Sequence, residues 1–140
     1  MIWRGILFAA LLAGCAQLPL TPADIQARRF EARPDKAVIY LVRDAPDFSD
    51  EPATVWLDDS ATVTLYPGTY YRWEAEPGNR RIAGFGGDSG SIALQTRAGG
   101  IYFVQQRLSP FFRFHQSHFQ QVSEPHARAV VARSVLAGGQ

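Results

Sequence analysis

From Lys36 onward the chain is a succession of short β-rich runs separated by turn signals, a pattern that points to a sandwich or a barrel. Ala37–Val42 is apolar on both faces, as a strand at the centre of a sheet is. Ala53–Asp58 alternates, with Val55 and Leu57 on one face; Asp58-Asp59-Ser60 reverses the chain, and Ala61, Val63 and Leu65 face inward on the way back. Tyr66-Pro67-Gly68-Thr69 and Glu76-Pro77-Gly78-Asn79 each predict a type II turn, because proline presets φ at the second position and glycine permits positive φ at the third. Between them Thr69–Ala75 alternates, with Tyr71, Trp73 and Ala75 inward and Tyr70, Arg72 and Glu74 outward. Arg80–Phe85, with Ile82 as its core contact, Ser91–Thr96 and Ile101–Leu108 are further strands, the last two joined at Gly99-Gly100. The glycine-rich stretch Gly84–Gly90 reads as a mobile loop, and Phe111–Val122 as one irregular strand or two short ones.

The first residues have a different character. Met1–Arg4 is a short, singly charged segment, and Gly5–Leu12 is an apolar run too short to span a bilayer, which takes about 20 residues. Leu12-Ala13-Gly14-Cys15 closes it and holds the only cysteine of the chain. These four residues resemble the bacterial lipobox. That resemblance implies that the Cys15 thiol receives a diacylglyceryl group, that a peptidase cuts before it, and that the new amine is acylated in turn. One acyl chain binds a membrane reversibly, whereas three hold it in practice permanently. Ala16 rather than Asp after the cysteine favours the outer membrane of a Gram-negative host, with the protein facing the periplasm.

Composition narrows the possibilities. The leader carries only Arg4, so the remaining chain has a formal charge near zero, which argues against a nucleic-acid partner. With Cys15 lipidated no intramolecular disulfide can form, and the fold must stand on apolar burial and backbone hydrogen bonds. Residues 15–35 read as a lipidated tether with a short helix: Thr21 can N-cap, Pro22 suits the first helical position, and Asp24 favours the positive end of the dipole, with the helix running to about Phe30. Arg28, Arg29 and Arg33 in this segment read as solvated side chains in preference to contacts with lipid head groups. Ser123 caps a terminal helix from Glu124 to about Leu136, whose apolar face holds Ala127, Val131 and Val135. The expected fold is therefore all-β: a small antiparallel β-sandwich over 36–122, preceded by a leader (1–14) and a tether with its short helix (15–35), and followed by a C-terminal helix and tail (123–140).

Several of these runs share a further likeness. Ala37–Arg43, Val55-Trp56-Leu57-Asp58, Gly68–Arg72, Pro77-Gly78 and Gly99–Val104 resemble, in order, the motifs of a bacterial lipoprotein family catalogued as domain of unknown function 2846. The resemblance covers about Lys36 to Arg107 and implies a sandwich of the transthyretin or peptidase-regulatory kind. The family's usual Asp-Gly at the first hairpin is Asp58-Asp59 here. It implies no activity and no catalytic residues.

Candidate sites are few. Gly87-Asp88-Ser89-Gly90 resembles the nucleophile segment of trypsin-like proteases, but all three histidines follow Ser89, the reverse of that family's order. His115 and His118, three apart, point to opposite faces of a strand, and with no cysteine to spare a zinc site with His126 is not expected. Asp44, Asp47, Asp50 and Glu51 gather carboxylates without the spacing or glycine of a calcium loop. Phe111, Phe112 and Phe114 form a dense aromatic patch: packing beneath the terminal helix is the preferred reading, and exposure would make them a partner surface. The functional expectation is a membrane-anchored, non-catalytic binding or structural module of the cell envelope. Cys15 would be its lipid attachment site and an envelope protein or glycan its partner, with no cofactor, no metal and no catalytic residue. The alternatives are a small periplasmic hydrolase using Ser89 or the acidic loop, and an accessory subunit of an envelope complex.

Overall fold

A computed structural model of the chain describes residues 19–86 and 90–138. Helix α1 (Pro22–Ala27) precedes strands β1 (Ala37–Arg43), β2 (Ala53–Leu57), β3 (Ala61–Leu65), β4 (Thr69–Ala75), β5 (Gly78–Ala83), β6 (Ser91–Thr96), β7 (Ile101–Phe111) and β8 (Phe114–Gln121); helix α2 (Glu124–Ala132) and strand β9 (Val135–Leu136) follow. Five strands in the order β8-β7-β1-β4-β9 face four in the order β3-β2-β5-β6, the expected small sandwich. Within the five-stranded sheet two pairings are parallel, β1 with β7 and β4 with β9.

The continuous apolar run of β1 is buried at every position, because it is central and because the sheet is covered on both faces. Ile39 and Leu41 meet Val55, Leu57, Leu65, Ile82 and Val104 between the sheets. On the other side Val38, Tyr40 and Val42 pack with Tyr70, Phe103 and the two helices, through Ala27, Phe30, Val130 and Val131. This third layer corrects the expected outward face of β4. Tyr71, Trp73 and Ala75 do point between the sheets, but Tyr70 is wholly buried beneath the helices rather than exposed.

The helix caps follow the sequence. Thr21 and Ser123 accept hydrogen bonds from the backbone N–H groups of Asp24 and His126, and a proline occupies the first turn of each helix. Both helices are shorter than expected. Phe30 takes φ 52°, which turns its ring into the core against Tyr40 at a centroid distance of 4.7 Å. Helix α2 stops at Ala132, and Val135, expected on its apolar face, is instead an exposed residue of β9 paired with Thr69. A short edge strand satisfies backbone groups of β4 that another turn of helix would have left open.

The turns divide in the same way. Tyr66–Thr69 closes with Thr69 N donating to Tyr66 O and Gly68 at φ 80°, as a type II turn requires. Gly78 is no turn residue: at φ 122° it is the first residue of β5, paired with Thr96, and Glu76-Pro77 carries the chain from one sheet to the other. Asp58 and Asp59 both take left-handed φ, 51° and 58°, a region that favours glycine. Asp58 offsets that strain by accepting from Arg81 N at 2.8 Å and pairing with Arg80 at 2.9 Å.

From Thr21 the expected tether is part of the folded body. Asp24, almost fully buried, accepts from the Tyr70 hydroxyl at 2.5 Å, Arg28 Nε at 2.7 Å and Leu136 N at 3.1 Å. Arg28, read as a solvated side chain, also donates to the carbonyls of Val131 and Ser134 at the end of α2. Burial by itself would raise the Asp24 pKa, but the hydrogen bonds from Tyr70, Arg28 and Leu136 together hold it below the usual carboxylate value. Burial and the neighbouring Asp24 push the Tyr70 phenol up, so it stays a donor. One carboxylate thus ties α1, β4, β9 and the end of α2 together. Among the described residues no helix is long and apolar enough to cross a membrane.

Candidate functional site

Register places many loops at one end of the sandwich. Arg43 at the end of β1 pairs with Thr69, which pairs in turn with Val135. In the second sheet the start of β2 pairs with the end of β3, and the end of β5 with the start of β6. Arg43 joins the two sheets there. It is fully buried, and donates from Nε to Asp47 and from its two Nη atoms to the carbonyls of Leu65, Glu51 and Ser49, each at 2.8 Å. The strand β7 stays paired with β1 as far as Gln105 and then runs on with β8 as a hairpin whose tip is Phe112-Arg113.

This end is lined with exposed aromatic side chains. Phe48, Tyr66, Phe85, Phe111, Phe112 and Phe114 all lie here, brought from four separate segments. Phe111, Phe112 and Phe114 are not beneath the terminal helix as the preferred reading had it. They stand on the hairpin, and Phe112 is 93% exposed. The reason is length: α2 lies over β1 and β7, whereas the hairpin projects past the end of β1. The rings touch edge to face, Phe85 with Phe111 at 6.3 Å and with Phe114 at 6.4 Å, and Phe111 with Phe112 at 4.9 Å. Phe112 has φ 51°, a conformation that costs a non-glycine residue about 1–2 kcal/mol. An aromatic ring that is both strained and bare contributes little to folding, so its value lies at the surface.

Between the hairpin and β2 lies an open cleft of about 480 Å³, walled by Trp56, Phe85, Leu108 and Phe114 with Glu51 and His115 at its polar margin. Its back is closed by an exact fit between Gly84 and β8. Ser117 N donates to Phe85 O at 2.7 Å, and a Cβ on Gly84 would lie 2.4 Å from Ser117 Oγ. Ser117 Oγ in turn accepts from Nε2 of the buried Gln106. Gly84→Ala is expected to force these groups apart and destabilise the protein by about 1–3 kcal/mol, read from its urea midpoint; an unchanged midpoint would refute the fit. The stretch expected as a mobile loop is therefore pinned at both described ends, with Gly84 N also donating to Gly90 O at 2.7 Å.

The other candidate groups are dispersed. In the acidic loop Asp47 turns to Arg43 and to Leu108 N, and Asp44 to Arg133 at 2.6 Å. The Arg133 hydrogen bond holds the Asp44 pKa down against its partial burial. His115 packs edge-on to Phe48, His118 meets Ser109 at 2.8 Å, and His126 meets Gln105 at 2.6 Å. No cluster of three metal-ligating side chains occurs among the described residues. Cys15 and Ser89 lie outside the described residues. No family model, no curated protein and no solved structure matches this chain. The arrangement that remains is an exposed apolar surface: rings presented together, with one cleft between them. Sequence reading singled out Phe111, Phe112 and Phe114, though not the hairpin that carries them, and missed Phe48, Trp56, Tyr66 and Phe85, because no local pattern joins residues that meet only through two sheets.

Proposed function

We propose that the protein is a lipid-anchored outer-membrane lipoprotein facing the periplasm, whose sandwich is a non-catalytic binding or structural module of the envelope. It acts through its aromatic end. The observation that supports the non-catalytic part is the contrast between that exposed end and Asp44, Asp47, His118 and His126, each engaged with a separate structural partner. The anchor rests on Leu12-Ala13-Gly14-Cys15, and only three residues separate Cys15 from Pro19, the first residue of the described body. Membership of the lipoprotein family with domain of unknown function 2846 belongs to the same reading. Its quoted motifs supply the central strand β1, strand β2, the turn into β4 and the start of β7.

Cys15→Ser tests the anchor. The variant is expected to lose fatty-acid labelling completely and to move from the membrane to the soluble periplasmic fraction. Labelling that persists in the variant would end the lipoprotein assignment.

A further inference from the structure

The aromatic end and the point where the chain enters the fold lie at the same end of the sandwich. Pro19 and Leu20 sit against Arg133, Ser134 and Val135, and Val135 is one pairing from Thr69 and two from Arg43. We propose that this end rests on the same bilayer that holds the Cys15 lipid, with Phe112 and its neighbours Phe111 and Phe114 in the headgroup layer. The inference builds on the lipid anchor and names the occupant of the aromatic end: a lipid surface.

Lengths support the placement. From Cys15 to Pro19 the extended chain reaches about 14 Å. Past Gln106, beside Arg43, the strand β7 continues for five residues to Phe111, about 17 Å of strand. A leaflet that holds Cys15 is therefore held near the height of the hairpin tip. The body cannot swing far from it, because α1 follows Pro19 almost at once and is fastened through Asp24 and Arg28.

The chemistry of the surface agrees. Phe48, Tyr66, Phe85 and the hairpin phenylalanines come from separate loops, and the tip leads with the most exposed ring. A fluid interface accepts apolar rings at different heights without a matching shape, which a rigid protein partner must supply. Arg113, exposed between Phe112 and Phe114, is placed to meet lipid phosphates. The opposite end, at the Gly99-Gly100 turn and the Asp58-Asp59 hairpin, presents no exposed phenylalanine among the described residues, and Trp56, two residues before Asp58, lines the cleft.

The lone native cysteine is consumed by lipid, so a second cysteine can carry a probe. Phe112→Cys and, as a control at the opposite end, the exposed Ala98→Cys would each be labelled with an environment-sensitive nitrobenzoxadiazole dye in the full lipidated protein. Both would then be reconstituted into vesicles of phosphatidylethanolamine and phosphatidylglycerol. Blue-shifted emission and several-fold slower quenching by aqueous iodide at position 112, with neither change at 98, is the expected result. Equal, water-like signals at both positions in protein that still floats with the vesicles would overturn the inference and leave the anchor standing, returning the aromatic end to a protein partner. Protein that does not float with the vesicles would overturn the anchor and this inference together.

Discussion

Arg43→Ala is expected to destabilise the protein by about 3–5 kcal/mol, the range for breaking a buried ion pair from one side. The guanidinium is entirely enclosed, and its donors serve the Asp47 carboxylate and the carbonyls of Ser49, Glu51 and Leu65. Alanine would remove all of these donors at once. The Asp47 side chain, only 6% exposed, would keep the N–H groups of Leu108 and Phe48 as hydrogen-bond donors but lose its counter-charge. The loop from Asp44 to Pro52 would then lose its hold on β1, and with it the placement of Phe48 beside His115. Urea unfolding followed by circular dichroism measures the loss, and a change below about 1 kcal/mol would show that water replaces the guanidinium at little cost. The double variant Arg43→Met, Asp47→Asn should recover part of the stability, since an apolar side chain of similar size leaves no unpaired charge behind.

Asp24→Asn is expected to cost about 2–4 kcal/mol and to flatten the acid limb of the stability profile. The wild-type carboxylate accepts from three donors, and an amide in its place offers one oxygen and brings two N–H groups of its own. The sign of the pH effect follows from the lowered pKa in the folded state. Folding is favoured by the ionised form, so the contribution is complete above the unfolded-state value near 3.8 and is lost as pH falls through the lower folded-state value. Wild type should lose stability across that acid window more steeply than Asp24→Asn. Parallel profiles for the two proteins would mean that the three hydrogen bonds do not depend on the charge. Because Leu136 N is among the donors, loss of Asp24 should also loosen β9 first, visible as faster amide exchange at Leu136 than in β1.

Much of the architecture was legible because it depends on residues near one another in the chain. Thr21-Pro22 and Ser123 start helices through bonds that span three residues, and Pro67-Gly68 makes its turn from its own backbone preferences. The unbroken apolar run of β1 announced a strand buried on both sides. The same locality explains the misses. Pro77-Gly78 has the composition of a turn, but its neighbours are recruited by different sheets and the glycine becomes a strand residue. Tyr70 alternates as an outward residue should, and only the two helices laid over it make that side interior. Arg43 looks like the polar end of a strand, yet the loop that follows folds back and encloses it.

Local residue chemistry thus sets the strands, the caps and one tight turn, since each of these is a matter of backbone preference or of contiguous side chains. Which strands are neighbours, which face the helices cover, and where the phenylalanines gather are decided by packing between segments far apart in the chain. The reason is that burial free energy is shared by the whole body: a side chain's surroundings depend on every layer stacked against it, and no short stretch contains that information.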